Sequence, residues 1–83
     1  MKRTGRDRFL RNVLVTLGNA APGDPDLLAA VRHCLDDPAA IVRATAVWAF
    51  SRLASTGEFA AARAGRLAGE TDALVRTEWE AAG

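Results

Sequence analysis

The residues with the means to do chemistry are few. His33 and Cys34, the single histidine and the single cysteine of the chain, stand side by side. Neighbours on a helix point about 100° apart, so this pair makes a poor catalytic dyad and a poor metal site. Asp36 and Asp37 look like paired carboxylates, but Pro38 follows at once, which reads as a helix cap; acid–base work would need a partner base nearby. Gly65-Arg66-Leu67-Ala68-Gly69 lacks the Lys-Ser/Thr of a phosphate-binding loop and sits inside a helical pattern. No Ser-His-Asp set or metal-ligand spacing is assembled, and one cysteine allows neither an internal disulfide nor a cluster held by several thiolates. The expectation is a chain with no catalytic residue, no metal and no cofactor.

Positive charge is the second resource. From Lys2 to Arg11 there are five basic residues against Asp7, a local balance of +4 in a chain whose net charge is +1. Arg8, Arg11 and Asn12 share the non-apolar side of a helix, with Arg6 near its start. Such a cluster serves as a solvated helix face, as a contact to RNA phosphates, or as a docking point for another domain. The tail opposes it: Glu70, Asp72, Glu78 and Glu80 against Arg76 leave −3.

Eighty-three residues provide for one domain spanning residues 1–83, and a chain this short buries only about 60% of its unfolded surface. Hydrophobic residues make up 49% and aromatics 6%, with much alanine, a composition that favours packed helices. The start of the chain has no apolar stretch long enough for a signal peptide or membrane span, and the lone cysteine fits a reducing cytoplasm.

Phe9, Leu10, Val13, Leu14 and Leu17 repeat at helical spacing, and Gly18-Asn19 with Pro22-Gly23 stops that helix. Asp24-Pro25 opens a second helix with Leu27, Leu28, Val31, Cys34 and Leu35 inward, ending near Asp36. Asp37-Pro38 opens a third, from Pro38 to about Ala54, apolar on more than one side and so expected to pack on two. After a loop at Ser55-Thr56-Gly57, a fourth helix runs from about Glu58 to Ala68. Thr71 or Asp72 caps a fifth through Leu74, Val75 and Trp79. This is an all-α reading of about five helices. Its expected core is Phe9, Leu14, Leu17, Leu28, Val31, Leu35, Val42, Ala46, Phe50 and Leu53. Trp48 is expected between helices, and Trp79 as a lid on the last unit or a crystal or partner contact.

The pattern recurs. Asp37 to Arg43 overlays Glu70 to Arg76 at an offset of 33, and Phe9-Leu10-Arg11 falls on Ile41-Val42-Arg43 at 32. Two helices in each such period are the mark of an α-solenoid. The segment from Asp37 to Ala49 resembles the HEAT-like repeat, in which an acidic residue and an arginine six positions on bridge adjacent units. That resemblance assigns bridging roles to Asp37, Arg43, Glu70 and Arg76, while Gly5 stands opposite Arg11 in the first unit and departs from the pattern.

A longer stretch, Gly5 to Leu14, then Leu17-Gly18-Asn19, Leu35 to Pro38, and Val42 through Leu53, resembles the C-terminal region of bacterial epoxyqueuosine reductases. Those enzymes join a cobalamin domain and a two-cluster ferredoxin module to a HEAT-like tail that helps hold tRNA. The cysteine ligands of the clusters have no counterpart here, so the resemblance implies the accessory domain rather than the reductase chemistry. On that basis Arg6, Arg8, Arg11, Asn12 and Arg43 are the expected RNA contacts. The expected partner is a tRNA anticodon stem-loop or the catalytic domain of a parent enzyme, with self-association if an apolar strip stays exposed. The alternative is a HEAT-like scaffold for protein–protein interaction.

Overall fold

The computed structural model describes residues 3–20 and 23–82. Lys2 and Pro22, counted above in the basic cluster and the first helix stop, lie outside the described residues. Five α-helices and no strand occur among the described residues: α1 (Arg3–Gly18), α2 (Pro25–Cys34), α3 (Ala40–Leu53), α4 (Thr56–Arg66) and α5 (Ala73–Ala82). A short 3₁₀ turn, Leu67–Gly69, links the last two.

Local chemistry explains most of the boundaries. Asp24 caps α2 by accepting the N–H groups of Asp26 and Leu27, and Pro25 takes the first helical position. Ser55 and Glu58 form a reciprocal capping box, so α4 begins at Thr56, inside the stretch expected to be loop. Asp72 accepts from Leu74 and Val75 and starts α5. The Asp37-Pro38 pair breaks the expected rule. Here α3 begins at Ala40, two residues late, because Pro38 belongs to a turn in which the Asp37 carboxylate accepts the Ala39 N–H and is also held from α1.

The odd-numbered helices lie side by side and run in one direction. Arg6 near the start of α1 meets Asp37 just before α3, while Gly18 at the end of α1 meets Trp48 and Arg52 near the end of α3. Arg43 early in α3 meets Glu70 just before α5. Central α3 packs against α1, α5 and α2, and its length is mostly buried, as a helix apolar on more than one side requires.

The core holds Leu14, Val31, Leu35, Val42, Ala46, Phe50 and Leu53 as expected, with Leu17 and Leu28 half-buried around it. Phe9 is a correction, since it is 58% exposed. The buried line of α1 runs through Leu10, Leu14 and Leu17; Phe9 lies one residue off that line, and among the described residues no helix flanks α1 on its outer side to cover it. Trp79 is a second correction: far from being a lid, it is 1% exposed. Its ring stacks at a tilt on Phe59 with centroids 5.3 Å apart, and Phe59 in turn contacts Phe50 at 6.2 Å. Periodicity missed this because the acidic neighbours Glu78 and Glu80 disguise an inward position one step between them.

Trp48 is half-buried, with its indole over Gly18. A Cβ at Gly18 would come within 2.4 Å of Trp48 Cζ3. Gly18→Ala is therefore expected to destabilise the fold by about 1–2 kcal/mol, the overpacking cost exceeding alanine's helical advantage. Urea melts of the two proteins, read by tryptophan fluorescence, check this.

Candidate nucleic-acid interface

Three arginines stand near the starts of the three parallel helices. Arg6, Arg43 and Arg76 are each the fourth residue of α1, α3 and α5. Arg6 Nη2 donates to Asp37 Oδ1, and its Nη1 reaches Asp7 at 3.0 Å. Arg43 grips both carboxylate oxygens of Glu70, Nε to Oε1 at 3.0 Å and Nη2 to Oε2 at 3.1 Å. It also donates to the backbone carbonyl of Asp37 at 2.9 Å. Arg76 repeats that last contact, donating to the Glu70 carbonyl at 3.0 Å and to Leu67 at 3.1 Å. An arginine thus ties each odd helix to the loop before it or before the next.

The ladder explains why Gly5 could stand opposite Arg11 in the first unit. In the buried register Leu10 and Leu14 match Val42 and Ala46, so Arg11 occupies the position of Arg43. The carboxylate it would be due is that of Asp37, and Arg6 has taken it. α1 extends further back than the repeat requires, starting at Arg3, and that extra turn supplies Arg6. Arg11 is left with no structural task.

Among the five residues expected to contact RNA, the structure separates two groups. Arg6 and Arg43 are engaged in the ladder. Arg8, Arg11 and Asn12 lie exposed on one side of α1, and no side-chain partner holds them among the described residues. Beside them, a depression of about 280 Å³ runs across α1, α3 and α5. Ala44 and Trp48 form its floor, Val15, Ile41 and Leu74 its exposed apolar walls, and Arg11 and Glu78 its opposite ends. The sequence reading missed this groove. Its signature is a pair of residues at i, i+4 on each odd helix: Arg11/Val15, Ile41/Thr45 and Leu74/Glu78. Arg52 lies against the Trp48 ring, 5.4 Å from its centroid, and donates to the Gly18 carbonyl at 2.7 Å, closing the end of α1.

The acidic groups act structurally. Hydrogen bonding from Arg6 holds the Asp37 carboxyl below the usual carboxylate range against the opposing effect of burial, and the Ala39 N–H adds to it. For Glu70, burial pushes upward, but the bonds from Arg43 and the Asp72 N–H outweigh it and leave the carboxyl low. Asp36 sits apart, exposed and paired with Arg66 at 3.2 Å, so the adjacent aspartates do not form a carboxylate dyad. Burial pushes the Cys34 thiol up, aided by the charge of Asp37, which leaves it a poor nucleophile at neutral pH. His33 is exposed, and no group of three or more His, Cys, Asp or Glu residues fit to hold a metal occurs among the described residues. No described helix is long and apolar enough to cross a membrane.

These carboxyl shifts set the acid response. Unfolded chains take up protons near pH 4, whereas the native protein keeps Asp37 and Glu70 ionised to lower pH. The stabilisation is complete above that range and is lost as pH falls through the lower native values. The expected result is a thermal midpoint that is flat from pH 7 to 5 and drops steadily below about pH 4. An Asp37→Asn protein should be less stable at neutral pH and show a shallower decline.

A stretch of 52 residues, 63% of the chain, is 44% identical to an epoxyqueuosine reductase of Xanthomonas campestris pv. campestris. The chain spans 14% of the length of that relative. No family model matches the chain, and no solved structure matches it. This partial similarity supports a relation to the epoxyqueuosine reductase family.

Proposed function

We propose that this chain is a HEAT-like helical domain that helps bind tRNA for an epoxyqueuosine reductase and performs no catalysis itself. The observation that carries the reading is the free basic face of α1: Arg8, Arg11 and Asn12 lie exposed within a fold whose other arginines include several ladder and bridge residues. The similarity to an epoxyqueuosine reductase supports tRNA as the class of RNA. Three parallel helices backed by α2 and α4, with arginine–carboxylate links between successive units, support the HEAT-like description. A cytoplasmic location accords with it.

Arg8 and Arg11 meet backbone phosphates in this reading, and Asn12 orients the contact. Phosphate contacts position the RNA without reading its sequence, so binding to the isolated domain is weak and tolerant of tRNA identity. Two phosphate contacts predict a slope of log affinity against log salt of about −1.5, at roughly 0.7–0.9 per phosphate. The test is a titration of an anticodon stem-loop with the wild-type chain and with Arg8→Gln/Arg11→Gln. The wild type is expected to bind at low salt and the variant to lose at least tenfold. Equal binding overturns the assignment. Arg6 and Arg43 are poor test sites because their removal also breaks the ladder.

The exposed aliphatic walls of the groove favour a second reading, a HEAT-like protein–protein scaffold. An absence of RNA binding by a folded wild-type chain would select it.

A further inference from the structure

We propose that the groove across α1, α3 and α5 is the contact face of a two-fold symmetric dimer of this chain. Ile41 and Leu74 stand 41% and 48% exposed beside Val15, three aliphatic side chains on three adjacent helices around one depression. Isolated exposed apolar residues are ordinary, but a contiguous strip across a helical layer marks an interaction site. Its composition selects the partner. The ends of the strip carry opposite charges, Arg11 on α1 and Glu78 on α5, with Ile41, Thr45 and Trp48 of α3 between them. Neither charge has a hydrogen-bond or ion-pair partner among the described residues.

That arrangement is complementary to itself. An isologous interface needs residue i of one copy to meet residue j of the other and the reverse at the same time. A two-fold axis lying in the interface, above α3 and parallel to it, lays α1 of one copy over α5 of its partner. Arg11 then faces Glu78 at both ends, and the aliphatic strips cover each other between the two ion pairs. The described residues extend 36 × 29 × 17 Å, a slab about as thick as two helix layers, so its broad face accommodates the roughly 800 Å² per partner of a standard interface. This use of Arg11 competes with RNA, so dimer and RNA complex exclude each other at that residue.

Charge reversal tests the proposal without any RNA. Sedimentation velocity from 10 μM to 1 mM is run on the wild type, Arg11→Glu, Glu78→Arg and an equimolar mixture of the two variants, with circular dichroism melts to confirm folding. The wild type is expected to dimerise, and each variant alone to be at least tenfold weaker because it opposes like charges at both ends. The mixture should regain the dimer, since Arg11→Glu then meets Glu78→Arg and the native Arg11 meets the native Glu78. A folded wild type that stays monomeric throughout overturns the proposal. So does a dimer that both single variants leave intact, or a mixture no tighter than its components.

Discussion

Trp79→Ala is expected to leave the chain largely unfolded at 37 °C. The side chain is 1% exposed and touches Phe59, which carries the contact on to Phe50 in α3. Removing a buried tryptophan costs about 3–5 kcal/mol through lost transfer energy and the cavity left behind. A domain of 83 residues has roughly 4–12 kcal/mol in total at 0.05–0.15 per residue. The loss consumes about a quarter of the stability at least and all of it at worst. Position adds to size, because α5 lies at the end of the layer and Trp79 and Val75 are its most deeply buried side chains. Trp79→Phe should recover part of the loss by restoring an aromatic contact to Phe59. Urea melts followed by circular dichroism check both, and a Trp79→Ala midpoint equal to wild type would remove Trp79 from the core.

Arg43 carries the other large effect. Its guanidinium meets the Glu70 carboxylate through two hydrogen bonds and two carbonyls through a third nitrogen, with side chains only 19% and 10% exposed. Removing one partner of such a pair strands a desolvated charge, which costs about 3–5 kcal/mol when burial is complete. Arg43→Ala is expected at about 3 kcal/mol, and Glu70→Ala at a similar value because Glu70 also accepts the Asp72 N–H that positions the start of α5. A double-mutant cycle should return a coupling energy of about 1–3 kcal/mol between them. The pair Arg32–Glu58 is a useful contrast. Its atoms are 3.6 Å apart and its side chains 49% and 44% exposed, so solvent screening should leave its coupling far smaller. Equal coupling in the two cycles would mean that burial and bidentate geometry contribute nothing here.

The helices were legible in the sequence because their causes are local. Apolar residues at helical spacing, Asp24 before Pro25, and the glycine at the end of α1 each act within a turn or two of their own position. The same holds for the seven expected core residues that are fully buried, since one face of a helix must be covered whatever covers it. The resemblance of Asp37 to Ala49 to a HEAT-like repeat implied bridging roles for Asp37, Arg43, Glu70 and Arg76, and the basic run marked the surface of α1. What periodicity left open was the choice of neighbour. Phe9 fits the apolar stripe of α1 by spacing and is exposed because, among the described residues, no helix flanks that side. Trp79 sits among glutamates and is buried because Phe59 of α4 comes to meet it.

Tertiary structure alone decided which arginines are committed. Arg6 and Arg11 are similar in sequence, two cations within one basic run. The end of the α2–α3 connection brings Asp37 to Arg6, thirty-one residues away, and leaves Arg11 to the surface. The groove arose in the same way, for its apolar walls come from three helices that share no local pattern. Side chains of one helix are ordered by 3.6-residue periodicity, which any sequence displays. The pairing of carboxylate with guanidinium across helices depends on the crossing and register of separate elements, and those are set by how whole cores fit together.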